Sequence, residues 1–233
     1  MAGGTYKMKA MILFSGGLDS TTALAMAVRE YGAENCVALS IYYGQRHEKE
    51  IKCAKAIAKH YGIERYTLDV SKIFKNSECA LLKGRKEQIQ NGSYDEQIRI
   101  AEGEAVTTYV PYRNGLFLSV AASMALSLRC DEIYYGAHRD DAAGNAYPDC
   151  SEEFNTAISE AIYQGSGKKV KIIAPFIDKT KADIVSIGMK LDVPYELTWS
   201  CYKGGDKPCG KCGTCIDRIK AFEINGVKDP LKY

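Results

Sequence analysis

The first third of the chain alternates between two hydrophobic spacings. An unbroken apolar run, Met11-Ile12-Leu13-Phe14, predicts a buried strand over about 8–14. Behind it, Thr21-Thr22-Ala23-Leu24-Ala25-Met26-Ala27-Val28 predicts a helix over 20–31 that stops near Gly32. The rhythm repeats with a strand over 37–42 and a helix over 47–61, whose Ile51, Ala54, Ile57, Ala58 and Tyr61 share one face before Gly62 ends it. A third strand follows over 64–70. After a break, the pattern resumes with a helix over 114–128 and a strand over 132–136. A helix follows 149–154, then a strand over 170–174 and a helix over 179–189. Near-continuous apolar strands alternating with helices are buried on both faces, which predicts an α/β fold with a doubly wound parallel sheet. Ligands of such sheets sit beyond the carboxyl ends of the strands.

Residues 71–108 break the rhythm. They are polar, contain Lys83-Gly84-Arg85-Lys86 and Asn91-Gly92, and show no clear period. A loop of that length reads as functional or disordered: a lid over a site, or an excursion to a partner subunit. No internal repeat or low-complexity tract is present.

The turn between the first strand and helix reads Ser15-Gly16-Gly17-Leu18-Asp19-Ser20. A strand, a glycine turn and a helix aim backbone N–H groups and a positive helix end at one spot, an anion site that needs no cationic side chain. Paired glycines let the main chain approach a phosphate. Ser15 and Ser20 add hydroxyls, and Asp19 is placed to help hold magnesium. Phe14, Ser15, Gly16, Gly17, Leu18, Asp19, Ser20, Thr21 and Thr22 are therefore the expected contacts of a nucleotide's phosphates, with Asp19 and Ser20 also catalytic candidates. Neither G-x-x-x-x-G-K-[ST] nor G-x-G-x-x-G occurs at the turn.

Composition narrows the class. At 233 residues, 46% hydrophobic and 26% charged, the chain is an ordinary globular domain with at most a small appendage. Its net charge of +2 and lack of a basic block argue against gripping a long nucleic acid. No window resembles a membrane helix and the amino end lacks a signal-peptide pattern, so a cytoplasmic location is expected. Of nine cysteines, Cys36, Cys53, Cys79, Cys130 and Cys150 are scattered and read as free thiols. Cys201, Cys209, Cys212 and Cys215 form C-x7-C-x2-C-x2-C with Gly210 and Gly213 at the knuckles. That pattern predicts one structural zinc ion in a closed all-thiolate site, with an iron–sulfur cluster or a Cys212–Cys215 redox pair as the alternatives. The expected division is an α/β domain over 1–195 and a zinc-binding tail over 196–233 packed on it.

The SGG-x-DS turn resembles the pyrophosphate (PP) loop of the ATP pyrophosphatase superfamily, which implies an adenine nucleotide alpha hydrolase-like fold binding ATP with Mg2+. Tyr42-Tyr43-Gly44-Gln45-Arg46-His47, Val110-Pro111-Tyr112-Arg113-Asn114 and Tyr147-Pro148-Asp149-Cys150, together with the loop and the cysteine tail, resemble the 7-cyano-7-deazaguanine synthase family. The resemblance runs in order from about 9 to 218. Leu18, where the family often has glutamine, and Tyr43-Gly44 depart from the pattern without removing a phosphate donor or a charge. The resemblance implies ATP-dependent conversion of 7-carboxy-7-deazaguanine and ammonia to the nitrile, by a carbon–nitrogen ligase that is typically a homodimer on the queuosine and archaeosine routes.

A carboxylate is a poor electrophile, so ATP must turn one oxygen into a leaving group before ammonia attacks. A second activation, of the amide oxygen, then permits dehydration. Arg46 and Arg113 are the candidate partners of the acid group by fork geometry, Arg46 also as a catalytic residue; a structural ion pair is the competing reading for both. Asp149 is the candidate acceptor for the purine-like N–H groups, with Gln45 and Asn114 as amide partners. Tyr42 or Tyr147 would stack on the base; His47 either moves protons or, as the commoner reading for a histidine that opens a helix, is a surface or cap-proximal residue. Two other readings keep the loop: a tRNA-thiolation enzyme adenylating a nucleobase, and a nucleotide sensor with a zinc-ribbon tail. Whether ATP leaves as ADP or AMP is open at this level.

Overall fold

A computed structural model describes residues 8–46, 49–86 and 88–233; His47 lies outside them. Strand β1 (Ala10–Leu13) leads through the glycine turn into helix α1 (Leu18–Tyr31). Strand β2 (Cys36–Tyr42), helix α2 (Lys49–Tyr61) and strand β3 (Glu64–Asp69) repeat the unit. After α3 (Tyr94–Ala101) come α4 (Arg113–Leu128), β4 (Glu132–Tyr134), the short α5 (Arg139–Ala142), α6 (Glu152–Gly165), β5 (Lys171–Ile173), α7 (Lys181–Lys190) and α8 (Gly213–Ile224). The five strands form one parallel sheet in the order β3-β2-β1-β4-β5. The expected doubly wound sheet is therefore the observed one.

Side-chain period 2 in the strands sorts the core onto two faces. Ala10 and Ile12 of β1, with Cys36 and Ala38 of β2, pack with Leu24 of α1 and Ile57 of α2. Met11, Val37 and Leu39 face the other way, onto Leu118 and Ala121 of α4 and Ile162 of α6. Met11 and Ile12 are both fully buried, which is why β1 reads as a continuous apolar run. Chain order reverses between β1 and β4, so a crevice opens at their carboxyl ends.

The described residues between β3 and α4 pack against the rest of this chain. Phe74, Leu81 and Leu82 pack with Tyr43 and Val110 beside the strand ends. A capping box of Ser93 and Glu96 starts α3. Gly92 N donates to Lys211 O at 3.0 Å, and Asn91 bridges antiparallel to Cys212, so the segment is tied to the cysteine tail.

The tail is latched by Arg218, which is 1% exposed. Its guanidinium donates to both oxygens of Asp229 at 2.7 and 3.1 Å, to Thr198 Oγ1 at 2.7 Å and to Tyr195 O at 3.1 Å. A buried guanidinium this fully paired fixes the carboxyl-terminal residues against the rest of the fold.

Candidate active site

The glycine turn sits at the reversal point. Gly16 has φ +88°, and a Cβ there would stand 2.5 Å from Glu50 O and 2.6 Å from Ala54 N. Only glycine fits, because both neighbours are backbone. Gly16→Ala is expected to cost about 2–3 kcal/mol from strain and overpacking. A thermal melt within a degree of wild type would contradict that. Gly136, after β4, is also crowded: a Cβ would meet Asp19 and the Ser20 nitrogen at 3.2 Å.

Within the turn, Gly17 N donates to Ser15 Oγ at 3.1 Å, and the Ser15 and Ser20 hydroxyls lie 3.1 Å apart. Gly17 is the N-cap of α1 with no side-chain cap, so the helix N-terminus is left for an anion. Thr21 and Thr22 turn inward: both are fully buried and donate to Gly17 O and Leu18 O.

The cleft beside the turn is lined by Phe14, Ser15, Gly17, Leu18, Asp19 and Ser20 from the loop, and by Gln45, Arg113 and Asn114. Tyr43, Glu50, Tyr94, Phe117, Asp141, Lys181, Trp199, Tyr202 and Asp217 complete its chemistry. Among the residues expected at the site, Gly16, Thr21 and Thr22 lie behind this wall, as do Arg46 and Asp149. Arg46 donates to Leu82 O at 3.1 Å and Arg85 O at 2.8 Å, organising the 82–85 turn. Asp149 Oδ2 accepts from Asn114 N at 2.7 Å and so caps the start of α4. Asn114 donates its amide to Asp149 O at 3.1 Å and to Cys150 Sγ. Gln45 Oε1 accepts from Tyr43 N at 2.9 Å. Tyr42 carries the Lys83 ammonium over its ring, and the buried Tyr147 shares a hydroxyl chain with Thr108 and Tyr94. Neither of those two rings lines the cleft.

Lys181, at the start of α7, is the main residue that sequence reading missed. Its Nζ lies 2.7 Å from Asp19 Oδ2. Burial pushes the Asp19 carboxyl up, but Lys181 and His138 pull it down further, so it sits below the usual carboxylate range. His138 Nε2 lies 3.3 Å from Asp141 Oδ2 and 4.0 Å from Asp19 Oδ2, near enough for a charge effect but off hydrogen-bond geometry. Asp19 Oδ1 is buried with no partner among the described residues. Asp217 is pushed up to about 6 by burial, only partly offset by Lys181.

On the cleft's other side, Arg113 lies over the rings of Tyr43 at 5.7 Å and Phe117 at 6.0 Å. Burial lowers its pKa, but Tyr43 and Asp149 more than offset this and raise it. Among the described residues no carboxylate lies within ion-pair distance of it; Asn114 Oδ1, at 3.5 Å, is its hydrogen-bond acceptor.

Beside the cleft, Cys201, Cys209, Cys212 and Cys215 bring their sulfurs within 4.8 Å of one another and form a group that can hold a metal ion. Two of the contacts are 3.5 and 4.0 Å. A tetrahedral tetrathiolate ion with bonds near 2.3 Å has sulfur edges of about 3.8 Å, so the spacing suits one ion. Trp199 joins this knuckle to the glycine turn, its backbone N–H donating to Gly16 O at 3.1 Å and its indole to Cys201 O at 2.9 Å.

A parallel five-stranded sheet with this loop at its reversal point defines a PP-loop α/β protein. A solved structure of the U34-tRNA thiolase NcsA from Methanococcus maripaludis, with its [4Fe-4S] cluster, shares the fold at a TM-score of 0.50 and 18% identity. That likeness spans 95% of this chain and 66% of the thiolase. The chain belongs to the queuosine biosynthesis protein QueC family, whose model matches residues 9–226. It is 44% identical to the 7-cyano-7-deazaguanine synthase of Archaeoglobus fulgidus over 96% of this chain and 90% of that one. Against the synthase of Caldicellulosiruptor saccharolyticus identity is 42%, over 97% and 96% of the two chains. Against that of Oceanobacillus iheyensis it is 40%, over 97% and 98%. These relatives indicate an enzyme.

Proposed function

We propose that the chain is an ATP-dependent carbon–nitrogen ligase that converts 7-carboxy-7-deazaguanine and ammonia to 7-cyano-7-deazaguanine. The observation that carries this reading is one cleft joining an anion loop to a half-buried arginine with no carboxylate in ion-pair distance among the described residues, in a chain matched to its named relatives almost end to end. The uncapped N–H groups at the start of α1 face the phosphates, with the Ser15 and Ser20 hydroxyls beside them, and Lys181 balances their charge. The orphaned Asp19 Oδ1 fits a magnesium ion, which would neutralise charge on the leaving phosphate. Arg113 takes the acid group, while Tyr43, Tyr94 and Tyr202 offer flat faces for the base. Activation turns a carboxylate oxygen into a leaving group, ammonia gives the amide, and a second activation allows loss of that oxygen.

Incubation with ATP, magnesium, ammonium and 7-carboxy-7-deazaguanine is expected to yield the nitrile by mass, with the same spectrum reading ADP or AMP. An untouched acid, or sulfur transfer to tRNA in its place, overturns the reading. Assembly as a homodimer in the cytoplasm is part of the same proposal.

The donor set and sulfur spacing fit zinc better than a wider cluster. Fresh protein is expected to hold about one zinc per chain. Cys212→Ser should release it and lower the melting temperature by several degrees, as binding energy is folding energy in a closed site. Iron with sulfide, or no metal in fresh protein, contradicts this.

A further inference from the structure

Glu50 stands in the first turn of α2, on the cleft wall, between the two halves of the site. Its Oε1 approaches Gly17 of the phosphate loop, lying 3.5 Å from where a Cβ on that residue would be. Its charge is felt by Arg113 and Tyr43 across the cleft. Among the described residues its carboxyl makes no hydrogen bond and no ion pair, although Gln45, Arg113 and Lys181 around the cleft each have a partner. Lys49, beside it, is turned away, over the Trp199 ring and onto the carbonyls of Gly205 and Asp206. A carboxyl left unpartnered between an activating loop and an acid-binding arginine is where a second reactant meets the activated carbon.

We infer that Glu50 is the catalytic base that takes a proton from ammonium, so that ammonia is released next to the activated acid. This rests on the synthase reading given above. In water at neutral pH nearly all of this reactant is ammonium, which has no lone pair for attack. The step balances: ammonium gives one proton to the Glu50 carboxylate, and ammonia forms the C–N bond. The activated oxygen departs with its electron pair, and the new amide's extra proton goes to solvent. Burial pushes the Glu50 carboxyl up, Arg113 opposes this and Asp19 adds to it, leaving the group near 7. Tyr43 and Cys53 are the other titratable groups that sense its charge.

The test is Glu50→Gln in the full chain, assayed with ammonium and separately with hydroxylamine, which is mostly unprotonated at neutral pH. With ammonium, kcat/KM is expected to fall by about a hundredfold or more and to lose its acidic limb near pH 7. With hydroxylamine the variant should make hydroxamate at close to the wild-type rate, and its ATP affinity should be unchanged. Equal losses with both nucleophiles overturn the base role in favour of a structural one. A native rate and pH profile with ammonium overturns it also. Those outcomes appear with active wild type, whereas wild type that leaves the acid untouched removes the synthase reading and this role together. Glu50→Gln should fold, since a carboxyl whose folded pKa is raised above its unfolded value destabilises the native state once ionised. Its melting temperature should match wild type below about pH 4.3 and exceed it above pH 7.

Discussion

Asp19→Ala is expected to lower turnover of the deazapurine acid by at least about a thousandfold, and Lys181→Ala by a similar factor. The two side chains form one unit: Lys181 Nζ lies 2.7 Å from Asp19 Oδ2, and the other carboxylate oxygen is buried without a partner among the described residues. Removing either leaves the phosphate end of the cleft with the wrong charge. Because both act on one group of atoms, the double variant should lose no more than either single change. The fold should survive, since Asp141 and Asp217 still face Lys181 when Asp19 is gone. Some stability is lost, with a definite pH dependence. A carboxyl held below its unfolded pKa stabilises the native state above that value and ceases to as the pH falls. The gap in melting temperature between wild type and Asp19→Ala should therefore narrow below about pH 4. Near-native turnover by Asp19→Ala removes the assignment of this corner to nucleotide and magnesium.

Period and punctuation made the scaffold legible. All five strands lie within a residue or two of the runs that predict them, and β1, β2 and β4 are legible because strands buried on both faces tolerate little that is polar. The glycine turn was legible for the same local reason: Gly16 faces backbone on α2 that no other residue would clear. Contacts made at long range were not. Lys181 reaches Asp19 from 162 positions away, and nothing at a helix start beginning Thr180-Lys181 distinguishes it from a solvated lysine. Trp199 reaches the glycine turn through its backbone N–H, which carries no side-chain signature, and the cysteine knuckle through its indole. Arg46 and Asp149 show the converse. Each belongs to a motif that reads as substrate contact, yet one binds carbonyls of the 82–85 turn and the other caps α4. A motif names residues that occur together, and the structure separates those that line the cleft from those that brace its walls. Residues 71–108 lack a period because they are held by contacts with the cysteine tail and the strand ends.

That distinction separates the two arginines experimentally. Arg113→Ala is expected to cost about 2–4 kcal/mol in kcat/KM for the deazapurine acid, or roughly 30- to 1,000-fold, with ATP affinity nearly unchanged. Its guanidinium faces the cleft with two aromatic rings beneath it and, among the described residues, no carboxylate within ion-pair distance, so an acid group arriving there meets a cation not already held in a direct ion pair. Without it the substrate carboxylate would enter a half-closed site beside Glu50 and Asp19 with no counter-charge on that wall. Arg113→Lys keeps the charge but loses the fork, and should recover only part of the loss. Arg46→Ala should act differently. It frees the carbonyls of Leu82 and Arg85, so the expected result is a lower melting temperature with kcat/KM for the acid within a few-fold of wild type. If Arg113→Ala keeps native kcat/KM while Arg46→Ala loses it, the acid group binds on the other side of the 43–46 turn. If both keep it, neither arginine holds the acid.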